Sequence, residues 1–314
     1  MKAVTRNLFT YSAEILATVQ ELQLRLQPFE PCGEHQRASW GFVNVVPDTE
    51  DRVLAFPGGW AICLREDSRT VPASEVSKLV DEKARSVYEA TGRKPGRKER
   101  KEMQADVIYE LLPRAFVRSK VTYIVYSHAK QRLYVNTGSQ KTADLGVSAL
   151  VQVLESVKFS TVHVSGPKMG LTARLTNWLR ALADDGSVSD DDMFGVLQPA
   201  SEIVMVGVNN KWALKLAALE NARESLQDAL RQGAQVDSMC FTDADGVMFR
   251  VTSELRLKGV KHQVVEDDDC DITHLWVSQL ASEVVTLDGI FDTLLELLSP
   301  EKAQADTPTV DDIF

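Results

Sequence analysis

No run in this chain approaches the ~18 consecutive apolar residues of a membrane-spanning helix, which excludes a helical membrane protein. The opening residues, Met1-Lys2-Ala3-Val4-Thr5-Arg6-Asn7, lack the apolar stretch and cleavage site of a secretory signal. Cysteine is scarce: four, at 32, 63, 240 and 270, widely spaced, which read as reduced thiols in a cytoplasmic protein. Cys32 and His35 have metal-like spacing but no second pair, so no zinc site is expected. The five histidines are scattered, and none shares a local motif with a nucleophile. Gly166-Pro167-Lys168-Met169-Gly170-Leu171-Thr172 lacks the Gly-Lys-Ser/Thr ending of a phosphate loop, and there is no dinucleotide fingerprint. No cofactor, no metal and no catalytic residue is expected.

What is present is the composition of an ordinary globular protein: 314 residues, 44% hydrophobic and 25% charged, enough for two domains or one elaborate one. The 45 acidic residues against 35 Lys plus Arg leave a net charge of −10, which on its face disfavours a nucleic-acid partner. The distribution reverses that inference. From His262 to Phe314 there are 13 acids and one base, Lys302, so residues 1–261 balance at +2. Lys78 to Lys120 holds 12 bases and 7 acids, and its centre, Arg93-Lys94-Pro95-Gly96-Arg97-Lys98-Glu99-Arg100-Lys101, has six bases in nine residues. Charge more than ~8 Å away is largely screened at physiological salt, so a local basic stripe can bind phosphate on an acidic protein.

Periodicity predicts an α+β fold of hairpin sheets and helices without steady βαβ alternation. Leu8–Tyr11 reads as a strand, with Ser12 as the N-cap of a helix carrying Ile15, Leu16, Val19, Leu22 and Leu26 on one face. Val53–Phe56 and Trp60–Arg65 flank the hairpin signal Pro57-Gly58-Gly59. Ala73–Leu112 reads as an αα-hairpin, with Val76, Leu79, Val80, Val87 and Tyr88 in one stripe and Met103, Val107, Ile108 and Leu111 in the other. Thr91-Gly92 ends its first helix, and the six bases then crown a protruding tip. Val121–Tyr126 and Arg132–Asn136 form a hairpin, followed by a helix from Thr142, a strand at Ser160–Val164 and a helix at Thr172–Leu182. Further on come a strand at Ile203–Val208, a helix at Leu219–Arg231, and the hairpin Val236–Thr242 with Val247–Thr252. Val260–Val265 and Ile272–Val277 read as strands around an acidic loop, before a final helix at Gly289–Leu298. The predicted regions are an α+β segment at 1–72, the basic hairpin at 73–118, a second α+β segment at 119–299 and a disordered acidic tail at 300–314.

Phe29-Glu30-Pro31-Cys32-Gly33, Ala61-Ile62-Cys63-Leu64-Arg65-Glu66 leading through Val71-Pro72, and Leu111-Leu112-Pro113-Arg114-Ala115-Phe116 together resemble the hallmark segments of the RdgC family. Order and spacing agree over residues 1 to about 125. Leu175-Thr176-Asn177-Trp178 and the hairpin around Asp245-Gly246 extend the likeness more loosely. The resemblance implies a recombination-associated protein, from a family also labelled an exonuclease. It implies a ring-shaped homodimer whose basic hole encircles double-stranded DNA without sequence preference and antagonises RecA-type recombinase. Carried over, Phe116 lies at a dimer contact, with Arg114, Arg118 and Lys120 close to the pore.

The expected DNA contacts are therefore Arg93, Lys94, Arg97, Lys98, Arg100, Lys101, Arg114, Arg118 and Lys120, on a nucleoid-associated protein. No aromatics interleave the tip bases, which favours backbone contact with duplex over stacking on single strands. A nuclease would need carboxylates converging on metal ions. The candidate runs Asp190-Asp191-Asp192 and Glu266-Asp267-Asp268-Asp269 are consecutive, so neighbouring side chains diverge, and they read as solvated loops. Asp243-Ala244-Asp245-Gly246 lacks the later ligands of a calcium loop and reads as a turn. The C-terminal Asp311-Asp312-Ile313-Phe314 resembles the acidic, apolar-tipped tail of bacterial single-strand DNA-binding proteins, without the usual Pro before Phe. It reads as a partner-binding tail, or as a competitor with DNA for the basic pore. Two alternatives stay open: an exonuclease with an unidentified metal site, and an accessory protein acting mainly through protein contacts.

Overall fold

Along Gly59–Arg69 apolar residues take both parities: Trp60, Ile62 and Leu64 join one buried cluster, Ala61 and Cys63 another. A strand apolar on both sides must be covered on both sides. In the computed structural model this strand lies inside a large antiparallel sheet flanked by helices. The structure describes residues 3–154, 157–161, 169–185, 196–207, 212–216, 223–264 and 271–297.

The strands are β1 (Leu8–Ala13), β2 (Ala38–Val43), β3 (Val53–Phe56), β4 (Gly59–Arg69), β5 (Val117–Ser127), β6 (Arg132–Asn136) and β7 (Phe159–Thr161). They continue with β8 (Gln198–Val206), β9 (Ala213–Leu216), β10 (Gln235–Thr242), β11 (Met248–Thr252) and β12 (Leu257–Lys261). The helices are α1 (Val19–Arg25), α2 (Ala73–Thr91), α3 (Arg97–Leu111), α4 (Gln140–Leu154), α5 (Met169–Asp185), α6 (Arg223–Arg231) and α7 (Ile272–Leu297). All twelve strands form one sheet, ordered β2-β4-β5-β6-β1-β12-β11-β10-β8-β9, with β3 also on β4 and β7 also on β1. The fold is α+β, as expected, but its hairpins are joined edge to edge. None of the described helices is long and apolar enough to cross a membrane.

The join between the two halves is narrow. β1 meets β12 at a single register pair, Leu8 with Leu257. Other bonds complete it: Val260 N donates to Arg6 O (3.0 Å), Asn7 Oδ1 accepts from Gly259 N (3.1 Å), and Glu283 accepts from Val4 N (2.8 Å), Thr5 N (2.7 Å) and Thr5 Oγ1 (2.5 Å). Gln279 Nε2 adds a fourth donor to the Glu283 carboxylate, and His262 Nε2 lies 3.0 Å from Thr5 Oγ1. A fully buried carboxylate needs such donors to offset its lost hydration. On one face of the sheet α1 and α4 pack on Phe9, Phe42, Trp60, Ile62 and Tyr126; on the other α7 lays Leu280, Val284, Leu287, Phe291 and Leu294 against the sheet. Cys63 is buried there, which pushes its thiol up to about 12 and leaves it uncharged.

Two expectations are corrected. Ser12 is a strand residue, because Tyr11 to Ala13 pair with Phe159 to Thr161 of β7, and Tyr11 and Ser12 also pair with β6. The helix starts at Val19 instead, where Thr18 and Glu21 form a reciprocal capping box and leave Leu16 exposed. Ile272–Val277 is helical, not a strand. Asp271 Oδ2 caps Thr273 N, and the apolar spacing of α7 over the next turns outweighs the local β-branched residues. The acidic runs at 190–192 and 266–269 and the tail from 300 lie outside the described residues.

Candidate nucleic-acid interface

The stripes Val76-Leu79-Val80 and Met103-Val107-Ile108-Leu111 meet, so α2 and α3 bury their apolar faces against each other. Their shared cluster contains none of the buried residues of the two sheet clusters. Gly92 ends α2 at φ 67°, a left-handed conformation suited to glycine, and Gly96 N donates to the Glu99 carboxylate at the start of α3. Asp81 pairs with Arg100, and Lys83 Nζ reaches Glu110 at 2.8 Å, linking the two helices across the surface.

The six bases at this turn divide in two. Arg93 is bound to Glu99 at 2.6 Å and Arg100 to Asp81. The Arg93 hydrogen bond holds the Glu99 carboxyl below its ordinary value, helped by Gly96 N. Lys94, Arg97, Lys98 and Lys101 are exposed and have no ion pair among the described residues. At about 100° per residue, Arg97, Lys98 and Lys101 share roughly a 100° arc of α3. Exposed ion pairs contribute little, so a phosphate can recruit Arg93 and Arg100 as well.

The chain returns to the sheet through Leu112–Arg114, a single 3-10 turn, and Arg114 is exposed. Arg118 and Lys120 lie on one face of β5, opposite Ser68 and Glu66 of β4. Lys120 Nζ donates to Thr142 Oγ1 (2.8 Å) and Thr137 Oγ1 (3.3 Å), which fixes its position without neutralising its charge. Phe116 stands between these bases at 91% exposure, with Val117 and Val121 also exposed. On β5, β6 pairs with Ile124–Ser127 alone, so the first half of β5 is bonded on one edge alone among the described strands. An exposed aromatic beside an open strand edge is a surface suited to another chain.

The remaining candidates settle as structure. Asp243 Oδ1 accepts from Asp245 N and Val247 N, and Gly246 has φ 80°, closing a hairpin turn. Cys32 Sγ donates to Gln36 O, while His35 stacks on Tyr109 at 4.0 Å between ring centroids. Among the described residues no three His, Cys, Asp or Glu side chains gather as metal ligands. Asp311, Asp312, Ile313 and Phe314 lie outside the described residues. Sequence reasoning missed Arg65 and Arg69. Arg65 binds Asp67 through Nε and Nη2 (2.9 and 3.1 Å), holding that carboxyl below its ordinary value, and lies 4.3 Å over the Phe29 ring. The alternation Arg65-x-Asp67-x-Arg69 on one strand face was the available signal.

Chemically, this is an antiparallel α+β platform carrying exposed cations that form no ion pair among the described residues. The chain belongs to the RdgC family: residues 5–299 match the family described as "Putative exonuclease, RdgC". Similar proteins include a recombination-associated protein RdgC of Tolumonas auensis, 24% identical over 94% of this chain and 97% of the relative. Those of Herminiimonas arsenicoxydans (27% identical, 82% of each chain) and Pseudomonas putida (29%, covering 56% of this chain and 58% of the relative) agree.

Proposed function

We propose that this chain is a recombination-associated DNA-binding protein that contacts the duplex backbone without reading sequence. The observation that supports the reading is the cluster Lys94, Arg97, Lys98 and Lys101, exposed and without an ion pair among the described residues, followed by Arg114, Arg118 and Lys120. Each phosphate neutralised by such a base releases counterions, giving strong, salt-dependent and sequence-independent affinity. Two copies joined at Phe116 and the open half of β5 would make a contact of the ring-shaped homodimer, with α2 and α3 as a protruding hairpin toward the pore. Encircled DNA is occupied DNA, and a RecA-type recombinase is excluded sterically. Such a protein works in the cytoplasm on the nucleoid, and the acidic segment Asp311–Phe314 serves a protein partner or competes with DNA for the same bases.

Titration of labelled duplex from about 50 to about 200 mM salt tests this. Changing Arg97, Lys98, Arg100 and Lys101 to Gln should weaken binding and lower the salt slope by ~0.9 for each phosphate no longer neutralised. Unchanged affinity and slope would refute it. Phe116→Asp should lower the sedimenting mass; an unaltered assembly removes Phe116 from the dimer interface. The second reading, an exonuclease, is favoured by the family description alone. Loss of end label from duplex with magnesium would establish it.

A further inference from the structure

Arg69, the last residue of β4, is half-buried and forms no ion pair among the described residues. Its guanidinium donates instead to four backbone carbonyls: Nε to Gly33 (3.2 Å), Nη2 to Cys32 (3.3 Å), and Nη1 to both Leu112 (3.1 Å) and Ala115 (3.2 Å). Two acceptors belong to the segment before β2. The other two close the end of α3 and its 3-10 turn, where helix carbonyls carry partial negative charge. A planar fork of five donors can join four carbonyls; an ammonium with three cannot.

What this clamp controls follows from the packing. The α2–α3 cluster is separate from both sheet clusters, so among the described residues no shared apolar core ties these helices to the sheet. The chain enters α2 through Thr70–Pro72 and returns through Leu112–Phe116. At that crossing Arg69 N donates to Arg37 O (2.8 Å), and Thr70 N donates to Phe116 O (3.4 Å). Phe116 is thus held by its backbone while its ring projects at 91% exposure. Beyond the clamp, a further lateral contact is the exposed His35–Tyr109 stack, with His35 Nδ1 3.3 Å from Tyr109 O.

We infer that Arg69 is a positioning residue that sets the angle of the two-helix unit on the sheet and the direction in which Phe116 is presented. One guanidinium therefore links the phosphate-contacting surface to the chain-contacting one. The inference rests on the proposed role of α2–α3 in DNA binding, and the two are separable by experiment.

Hydrogen exchange on Arg69→Ala and Arg69→Lys in the full chain reads the clamp directly. In R69A, amides of residues 32–37 and 112–117 should exchange about tenfold faster or more, while α2, α3 and the β4–β5 core keep their protection. R69K, with three donors, should restore only part of it, and it carries the test if R69A loses protection throughout. In the duplex titration R69A should lower affinity severalfold at fixed salt yet keep the wild-type salt slope, because every phosphate-contacting base remains. Unchanged exchange at 112–117 in both variants overturns the positioning role, whatever the DNA result. Faster exchange with wild-type DNA affinity supports the clamp and overturns α2–α3 as the DNA-binding surface.

Discussion

Where α7 crosses the β5–β6 hairpin, Arg132 and Asp288 are almost fully buried; at the α2–α3 turn, Lys94, Arg97, Lys98 and Lys101 stand in solvent. Asp288 accepts from Ser127 Oγ and Tyr134 OH, both at 2.6 Å, and lies 3.6 Å from Arg132. Arg132 also holds Asp292 at 2.7 Å, and Lys130 reaches the same carboxylate at 2.6 Å. Burial and the Asp288 carboxylate drive the Tyr134 hydroxyl well above its ordinary value, so it stays a donor. The same residue types serve opposite ends. At the crossing every charge has a partner inside the chain and fixes how α7 sits on the sheet. At the turn Lys94, Arg97, Lys98 and Lys101 have no such partner among the described residues, and exposed charges of this kind contribute little to the fold.

The sharpest way to break this comparison is Asp288→Ala, which removes the acceptor of two buried hydroxyls, Tyr134 and Ser127, and one of the two carboxylates beside the buried Arg132. Urea denaturation should show a loss of about 3–5 kcal/mol; a loss below ~1 kcal/mol would mean that the crossing is not where α7 is fixed. Lys98→Glu combined with Lys101→Glu is the opposite case. Stability should stay within ~0.5 kcal/mol, while duplex affinity falls about tenfold or more at physiological salt; a parallel fall in both would erase the distinction. His262 supplies a pH test of the narrow join. Burial lowers its basicity, opposed by Glu283, Thr5 and Asp243 nearby. The unfolded chain therefore binds the proton more readily, so stability should fall as pH drops below about 6.5 and level off beneath the folded value. Asp245 lines the same cavity as His262, and His262→Gln should flatten that part of the profile. Smallest is Thr18→Ala, which removes the α1 cap and should cost ~1 kcal/mol by thermal unfolding, without change in DNA affinity.

Much of the fold was legible wherever one short-range signal dominated. The hairpin at Gly58, the end of α2 at Gly92 and most of the two stripes of the helical pair follow from turn chemistry and 3.6-residue spacing, although Val87 and Tyr88 fall outside the shared cluster and Tyr88 is exposed. Ser12 misled because its alternative, pairing with β6 and β7, involves residues more than a hundred positions away. The Thr18-x-x-Glu21 signature that does cap α1 was nonetheless readable in the chain. Ile272–Val277 misled because β-branched residues suggest a strand locally, whereas the face of α7 is defined over several turns. Of the candidate site, the basic cluster was visible as a charge count. That Arg93 and Arg100 are engaged while four neighbours are not could not be counted, since it depends on Asp81 and Glu99 lying within reach.

By itself the sequence determined where the charge is: six bases in nine residues, on a turn between two amphipathic helices, in a chain that is acidic overall. It also carried the segments by which the family is recognised. Tertiary structure decided which of those charges are paired, which carboxylates lie under α7, and that Arg69 gathers Cys32, Gly33, Leu112 and Ala115 at one point. The physical reason is range. Helical spacing and turn chemistry act over a few residues, whereas pairing and burial depend on groups that only the completed sheet brings within about 3 Å.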